Sequence, residues 1–371
     1  MIRKLLVLNG LAILGVILFH ASGWSFVAMF VWADRYLPVT SPNFDQVGSA
    51  AYYGIRLIEQ LIVVSIPAFL FVSGFFVAFA TGRTHKTVGW NIIGARVKSL
   101  LIPYLLWSFL VFAAGFVLDG RRLPPLAYVQ LLLTGGANPA YYYIILLIQF
   151  YLLSPFLIPL AKNHWVSLLA VSLVLQLTVQ LLQYPVILGL DIPVWLQPFV
   201  DRFPKWFFPV RIFWFSLGIV AGFHLKGLKA WVIRYRWHLL ILTIATYVLG
   251  VIEWEMYIKW SGHTAMTHRE TLIDNVYSLA FLFAFIGFSN IDIPASKQLS
   301  QWGSKSFGIY ISHAPLMGYI ARGVYHLAPW LLGVQILFLP LMVVLGLGIP
   351  LAVMALMEKS VAKKYYQYVF G

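Results

Sequence analysis

Cysteine is absent and charge is scarce: of 371 residues only 10% are Asp, Glu, Lys or Arg, while 61% are apolar. Without cysteine there is no disulfide, no thiolate nucleophile and no thiolate metal site. A charged fraction so far below the quarter typical of globular chains leaves too little polar surface to cover the apolar remainder in water. Acids are the scarcer sign, 12 against 26 Lys and Arg, for a net charge of +14. Gly/Ser-rich linkers, low-complexity runs and internal repeats are missing too. One domain over 1–371 is therefore expected, ending in a short cytoplasmic tail at 358–371.

What the chain does have is a series of apolar runs close to the roughly 20 residues that cross a hydrocarbon core. Lipid offers no hydrogen-bond partners, so each backbone group must pair internally, in helices or in a closed barrel. Continuous runs without alternation select helices. The expected fold is all-α, a polytopic integral membrane helical bundle of about ten transmembrane helices. The spans read as 5–28, 55–81, 99–118, 141–160, 166–188, 209–225, 238–254, 272–289, 306–326 and 331–357. "AKNHW" barely separates the fourth from the fifth, and "LPPLAYVQLLL" reads as an interfacial helix or a further span. Arg3 and Lys4 before an apolar stretch also fit a cleaved signal peptide, but the stretch runs on to about Val31 without a small-residue cleavage site.

With the N-terminus inside, the cytoplasmic segments collect 16 of the 26 cations but only Asp292 and Glu358 among the acids. That bias places both termini in the cytoplasm, in a multi-pass protein of the cell's inner (plasma) membrane. Topology and attraction to anionic lipid explain any single cation equally well. The cations sit in short loops with no recognition module, so nucleic acid is not an expected partner. Nothing in the sequence sets an oligomeric state.

Ionisable groups inside spans are expensive, which makes them the functional shortlist. His20 lies about 15 residues beyond the inner end of the first helix, about 22 Å along its axis at 1.5 Å per residue, in the outer half of the bilayer. Asn9 precedes it by close to three turns, so both face the same way. Histidine suits general-base work on a hydroxyl near neutral pH, although a hydrogen-bonded packing histidine is the plainer reading. His313 stands two residues before Pro315, which frees helix carbonyls where a cavity can form. Glu59 is one turn from Arg56, so a local ion pair explains both. Glu253 and Glu255, two apart, do not share a helix face well and read as an outer loop cap. His263 and His268 lack a third ligand, and no metal site is expected. "GGAN" and "GLGLG" lack the strand-helix context of a nucleotide loop.

Five blocks resemble the membrane acyltransferase family 3. "LNGLAILGVILFH" is similar to its first-helix signature ending in His20. "SIPAFLFVSGFF" matches the second-helix block through Pro67, Ser73 and Gly74. "RVKSLLIPYLLWS" resembles the basic start of the third helix through Arg96, Pro103, Tyr104 and Trp107. "YYYIILLIQFYLLSPFL" and "LSQWGSKSFGIYISHAPL" resemble two later blocks, with Pro155 and His313. The blocks occur in family order over residues 9 to 315. Many members carry an arginine where this chain has Asn9; Asn holds no charge but still donates a hydrogen bond, and Arg56 or Arg211 is the substitute cation to consider.

The resemblance implies transfer of an acyl group, often acetyl from acetyl-CoA, to a hydroxyl of an envelope polysaccharide, glycolipid or lipid-linked acceptor. It implies no tightly bound cofactor, only an acyl-CoA co-substrate. His20 and His313 are then the catalytic candidates, and Asn9, Glu59, Ser73, Tyr104 and Arg211 the substrate-binding ones. Arg83, Lys86, Arg96 and Lys98 form a basic mouth for the CoA phosphates. The acceptor would meet the outer loops 32–54, 119–140, 189–208 and 255–271, whose aromatics also suit an interfacial belt. A transporter or flippase for a lipid-linked glycan or small precursor is the alternative from another class, and a scaffold or sensor a third.

Overall fold

Long stretches of Leu, Ile, Val and Phe, broken by Gly, Pro and short polar turns, form helices throughout; no strand occurs among the described residues. The computed structural model describes residues 2–188, 190–195, 197–198, 203–262, 270–291 and 293–371. His263, His268 and Asp292, singled out above, lie outside them, as do parts of the loops 189–208 and 255–271. The principal helices are α1 (Ile2–Phe26), α2 (Ala50–Ile62), α3 (Ser65–Thr81), α4 (Trp90–Asp119), α5 (Pro125–Thr134), α6 (Tyr142–Asn163) and α7 (Trp165–Leu181). They are followed by α8 (Ile212–Phe223), α9 (Leu225–Arg234), α10 (Arg236–Ser261), α11 (Leu272–Gly287), α12 (Ser296–Ser304), α13 (Ser306–Leu327), α14 (Gln335–Lys359) and α15 (Tyr366–Val369).

Six of these segments are long and apolar enough to cross a membrane: Ile2–Val31, Ala50–Thr81, Trp90–Asp119, Tyr142–Asn163, Arg236–Ser261 and Gln335–Lys359. A seventh arises if Phe208–Phe223 and Leu225–Arg234, bent by 101°, form one broken span. The remaining expected spans are helices of another kind. With 17 and 16 residues, α7 and α11 reach about 25 Å at 1.5 Å per residue, short of a hydrocarbon core of about 30 Å. Helix α13 has 22 residues but carries His313, Pro315 and Arg322. "LPPLAYVQLLL" does form a short helix, α5, and His164 alone separates α6 from α7. One expectation is corrected: α10 continues to Ser261, so Glu253 and Glu255 lie on a helix and not in a loop.

Small residues let the central helices touch backbone to backbone, the means by which helices associate where lipid removes the hydrophobic drive. A Cβ built on Gly10 of α1 would overlap the Leu299 carbonyl oxygen of α12, and one on Gly303 would overlap that of Leu6. Gly74 of α3 and Gly218 of α8 meet in the same way, against Phe215 and Phe71. Around these seams pack Ile13, Ile17, Phe71, Phe150, Phe215 and Phe338, all inaccessible.

The inter-helix contacts sort the turns into two ends. At one end Lys4 donates to the Ile291 carbonyl, Lys305 pairs with Glu358 at 2.7 Å, and Lys162 caps the carbonyls of Gly82, Arg83 and His85. The chain's final residues pack there too: Trp107 Nε1 donates to the Val369 carbonyl at 3.0 Å and Phe370 is buried. At the other end Arg322 pairs with Asp119 at 2.7 Å, Arg56 with Glu255 at 3.6 Å, and Arg211 with Glu270 at 2.5 Å.

Candidate active site

Helices α1 and α13 both start at the Lys4 end and run the same way. Asn9 fastens them together, its Nδ2 donating to the Gly303 carbonyl at 3.1 Å and the Ser306 Oγ at 2.9 Å. Three turns beyond Asn9 on α1 and two beyond Ser306 on α13, His20 and His313 meet with ring centroids 5.1 Å apart. Asn9 itself lines neither cavity described below; it positions the helix that carries His20.

His313 is fully buried. Its Nδ1 stands 2.6 Å from the Tyr310 carbonyl and 3.2 Å from that of Ile309. A carbonyl only accepts, so Nδ1 carries the proton and Nε2 holds a bare lone pair. That Nε2 is buried and has no hydrogen-bond partner among the described residues. Just beyond, Pro315 removes the N–H that would bond the Ile311 carbonyl. Tyr141 repairs the gap by donating its hydroxyl to Ile311 at 2.9 Å, while the Tyr310 hydroxyl donates back to the Ala140 carbonyl. The helix around His313 is therefore clamped to the 140–141 turn.

His20 is half-buried and stands in the wall between two cavities. One, of about 240 Å³, lies among α1, α4, α5 and α13 and is lined by Trp24, Tyr128, Asn138 and Tyr319, with Asp119 and Arg322 as a paired lip. The other, of about 380 Å³, is lined by Glu59, Tyr142, Arg211, Trp254, Glu270 and Tyr310. His20 and Pro139 belong to both walls. A group in either space reaches the same imidazole. His313 lines neither and touches the reacting volume only through His20.

The expected residues thus divide. His20, Glu59 and Arg211 line a cavity, and His313 backs His20. Ser73 does not; it faces the Tyr143 hydroxyl. Tyr104 is buried and donates to the Leu132 carbonyl at 2.6 Å. Neither cation proposed to replace the arginine offers an unneutralised charge. Arg211 donates through Nε and Nη2 to Glu270, and through Nη1 to the Lys205 carbonyl at 2.9 Å, and lies over the Tyr142 ring. Arg56 stacks 3.2 Å from the Trp254 ring centroid and pairs with Glu255.

The four cations of the basic mouth also separate. Arg83, Lys86 and Lys98 are exposed, whereas Arg96 is half-buried with its guanidinium 5.6 Å from the centre of the Tyr151 ring. Tyr151 and Ser73 both neighbour Tyr143, whose ring lies tilted against that of Tyr310 at 5.3 Å between centroids, and Tyr310 lies tilted against His313 at 5.5 Å. A tyrosine column with Ser73 at its side therefore joins Arg96 to the histidine pair. Among the described residues no group of three or more His, Asp or Glu stands close enough to hold a metal ion.

The family model for Acyl_transf_3, described as an acyltransferase domain, matches residues 4–356. The chain belongs to the acyltransferase 3 family. No curated protein and no solved structure matches it. Membership together with the apolar helices makes this a multi-pass membrane acyltransferase. In this acyltransferase the sequence left Tyr141, Pro139, Glu270 and Trp24 unnoticed. Pro315 signalled that Ile311 needed a donor, but which of the hydroxyls 170 or more positions away would supply it depends on packing.

Proposed function

We propose that this acyltransferase moves an acyl group, acetyl from acetyl-CoA, onto a hydroxyl of an envelope polysaccharide, glycolipid or lipid-linked acceptor. The protein works in the plasma membrane with ten crossings and both termini cytoplasmic, helices α7, α8, α11 and α13 completing the bundle. The observation that carries the reading is the single imidazole, His20, reached from two cavities, which is what transfer between two substrates requires.

The basic mouth holds the CoA phosphates through Arg83, Lys86, Arg96 and Lys98, and the pantetheine arm follows the side of the tyrosine column past Ser73. His20 takes the proton of the acceptor hydroxyl as its oxygen attacks the thioester carbonyl. The C–S bond then breaks, and the leaving CoA sulfur receives that proton from His20. His313 positions His20: with its Nδ1–H held by Tyr310, its ring packs against the His20 imidazole at 5.1 Å between centroids and keeps that imidazole between the two cavities. The 240 Å³ cavity, with Trp24, Tyr128 and Asn138, suits a sugar ring on the acceptor. Glu59 and Arg211 give the larger cavity its polar contacts.

The reading is tested with protein reconstituted in proteoliposomes and supplied with acetyl-CoA outside and an envelope glycan acceptor. Release of free CoA thiol that depends on acceptor supports it. Uptake of an envelope precursor with no CoA released would replace it with a transporter.

A further inference from the structure

A groove of about 550 Å³ lies among α7, α8, α9 and α11 at the Lys4 end of the bundle and shares no lining residue with the His20 cavities. Leu169, Val220 and Phe283 form its walls, and Trp165 and Trp231, 45% and 47% exposed, flank it. Arg83 and Lys226 stand on its rim. The volume falls within the roughly 300–1,000 Å³ of ligand-sized sites. Helix α8 is locked to α3 on its opposite side by Gly74 and Gly218, so the groove runs along a fixed surface.

The bend of 101° after α8 turns α9 across the end of the bundle. Leu225, Leu228 and Val232, at helical spacing, turn inward, whereas Lys226 and Arg234 are exposed. A short basic amphipathic helix lying crosswise at a bundle end is the pattern of an interfacial segment, and half-exposed tryptophans mark the headgroup level. Neither Arg83 nor Lys226 has an acidic partner among the described residues. The one other titratable lining group, His224, already binds the Ala161 carbonyl through Nε2 at 3.0 Å. Two unpaired cations over an otherwise apolar and aromatic channel complement a phosphate joined to a hydrocarbon chain.

We propose that this groove is a binding site for an anionic phospholipid, with the phosphate between Arg83 and Lys226 and one acyl chain along α8 between Trp165 and Trp231. The site shares only Arg83 with the basic mouth proposed for the CoA phosphates, so its test leaves that residue intact.

Native mass spectrometry of the full chain in detergent, titrated with phosphatidylglycerol or phosphatidylcholine, reads occupancy directly. We expect one tightly retained phosphatidylglycerol and weaker phosphatidylcholine. Lys226→Gln should weaken phosphatidylglycerol by roughly fivefold, the worth of one cation near a membrane surface, and Trp231→Ala should weaken both lipids. Lys229→Gln removes the same charge from the same helix outside the groove and should change little. Equal retention of the two lipids, or equal effects of Lys226→Gln and Lys229→Gln, would each overturn the assignment.

Discussion

Tyr141→Phe removes one oxygen, and its cost follows from what Pro315 has done to α13. In an uninterrupted helix the N–H of residue 315 would bond the Ile311 carbonyl; proline has none, and the Tyr141 hydroxyl fills the vacancy at 2.9 Å. Deleting that hydroxyl strands a buried carbonyl, at a cost of about 1–3 kcal/mol. Restoring the helix N–H with Pro315→Ala gives the carbonyl a second donor. In that background Tyr141→Phe should cost close to nothing. The four proteins form a double-mutant cycle with a coupling energy of about 1–2 kcal/mol, near the upper end seen between membrane helices. Reversible unfolding in mixed detergent supplies the stabilities, and acyl transfer measured alongside shows whether loosening this turn also disturbs His313, whose Nδ1 bonds the carbonyl of Tyr310, the residue before Ile311. If Tyr141→Phe were equally costly with and without Pro315, the account of the clamp would be refuted.

Two further substitutions probe other parts of the structure. Gly10→Val would drive a branched side chain into the Leu299 backbone, which cannot retreat as a side-chain tip could, so the protein should fail to accumulate in the membrane fraction; Gly23→Val, with open space around it, should express normally. Arg211→Ala leaves Glu270, 17% exposed, without its partner, and should cost about 3–5 kcal/mol, the range for half of a buried pair. Arg211→Gln with Glu270→Gln should recover most of the loss in the same detergent-unfolding assay, and an uncorrected loss would mean that Arg211 acts through contacts other than Glu270.

Much of this arrangement could be read from local sequence. Apolar run length gave the helices, and the spacing of Asn9 and His20 put them on one face of α1. The number of crossings was less legible because run length overstates span length: the runs at 166–188 and 272–289 end as helices of 17 and 16 residues. At 255–261 the opposite occurred, polar residues remaining helical because Arg56, Thr271 and Tyr257 occupy the carboxylates of Glu255 and Glu253. The partners of the site residues were not legible at all. Asn9 bonds a residue 294 positions away and Tyr141 one 170 positions away, and no local pattern encodes such pairs. Arg56 also reaches across to α10, where Trp254 and Glu255 together offer a stacked face and a charge that its local sequence does not signal.

The central claim is that one imidazole serves both cavities while the second only positions it. The direct measurement is acetyl transfer from acetyl-CoA to an envelope acceptor, with acetyl-CoA binding measured in parallel, for His20→Ala and His313→Ala. The account predicts that His20→Ala lowers turnover by about 10²–10⁴-fold, the contribution of a general base, with acetyl-CoA binding retained, and that His313→Ala lowers it less. Full turnover in correctly inserted His20→Ala protein would contradict it.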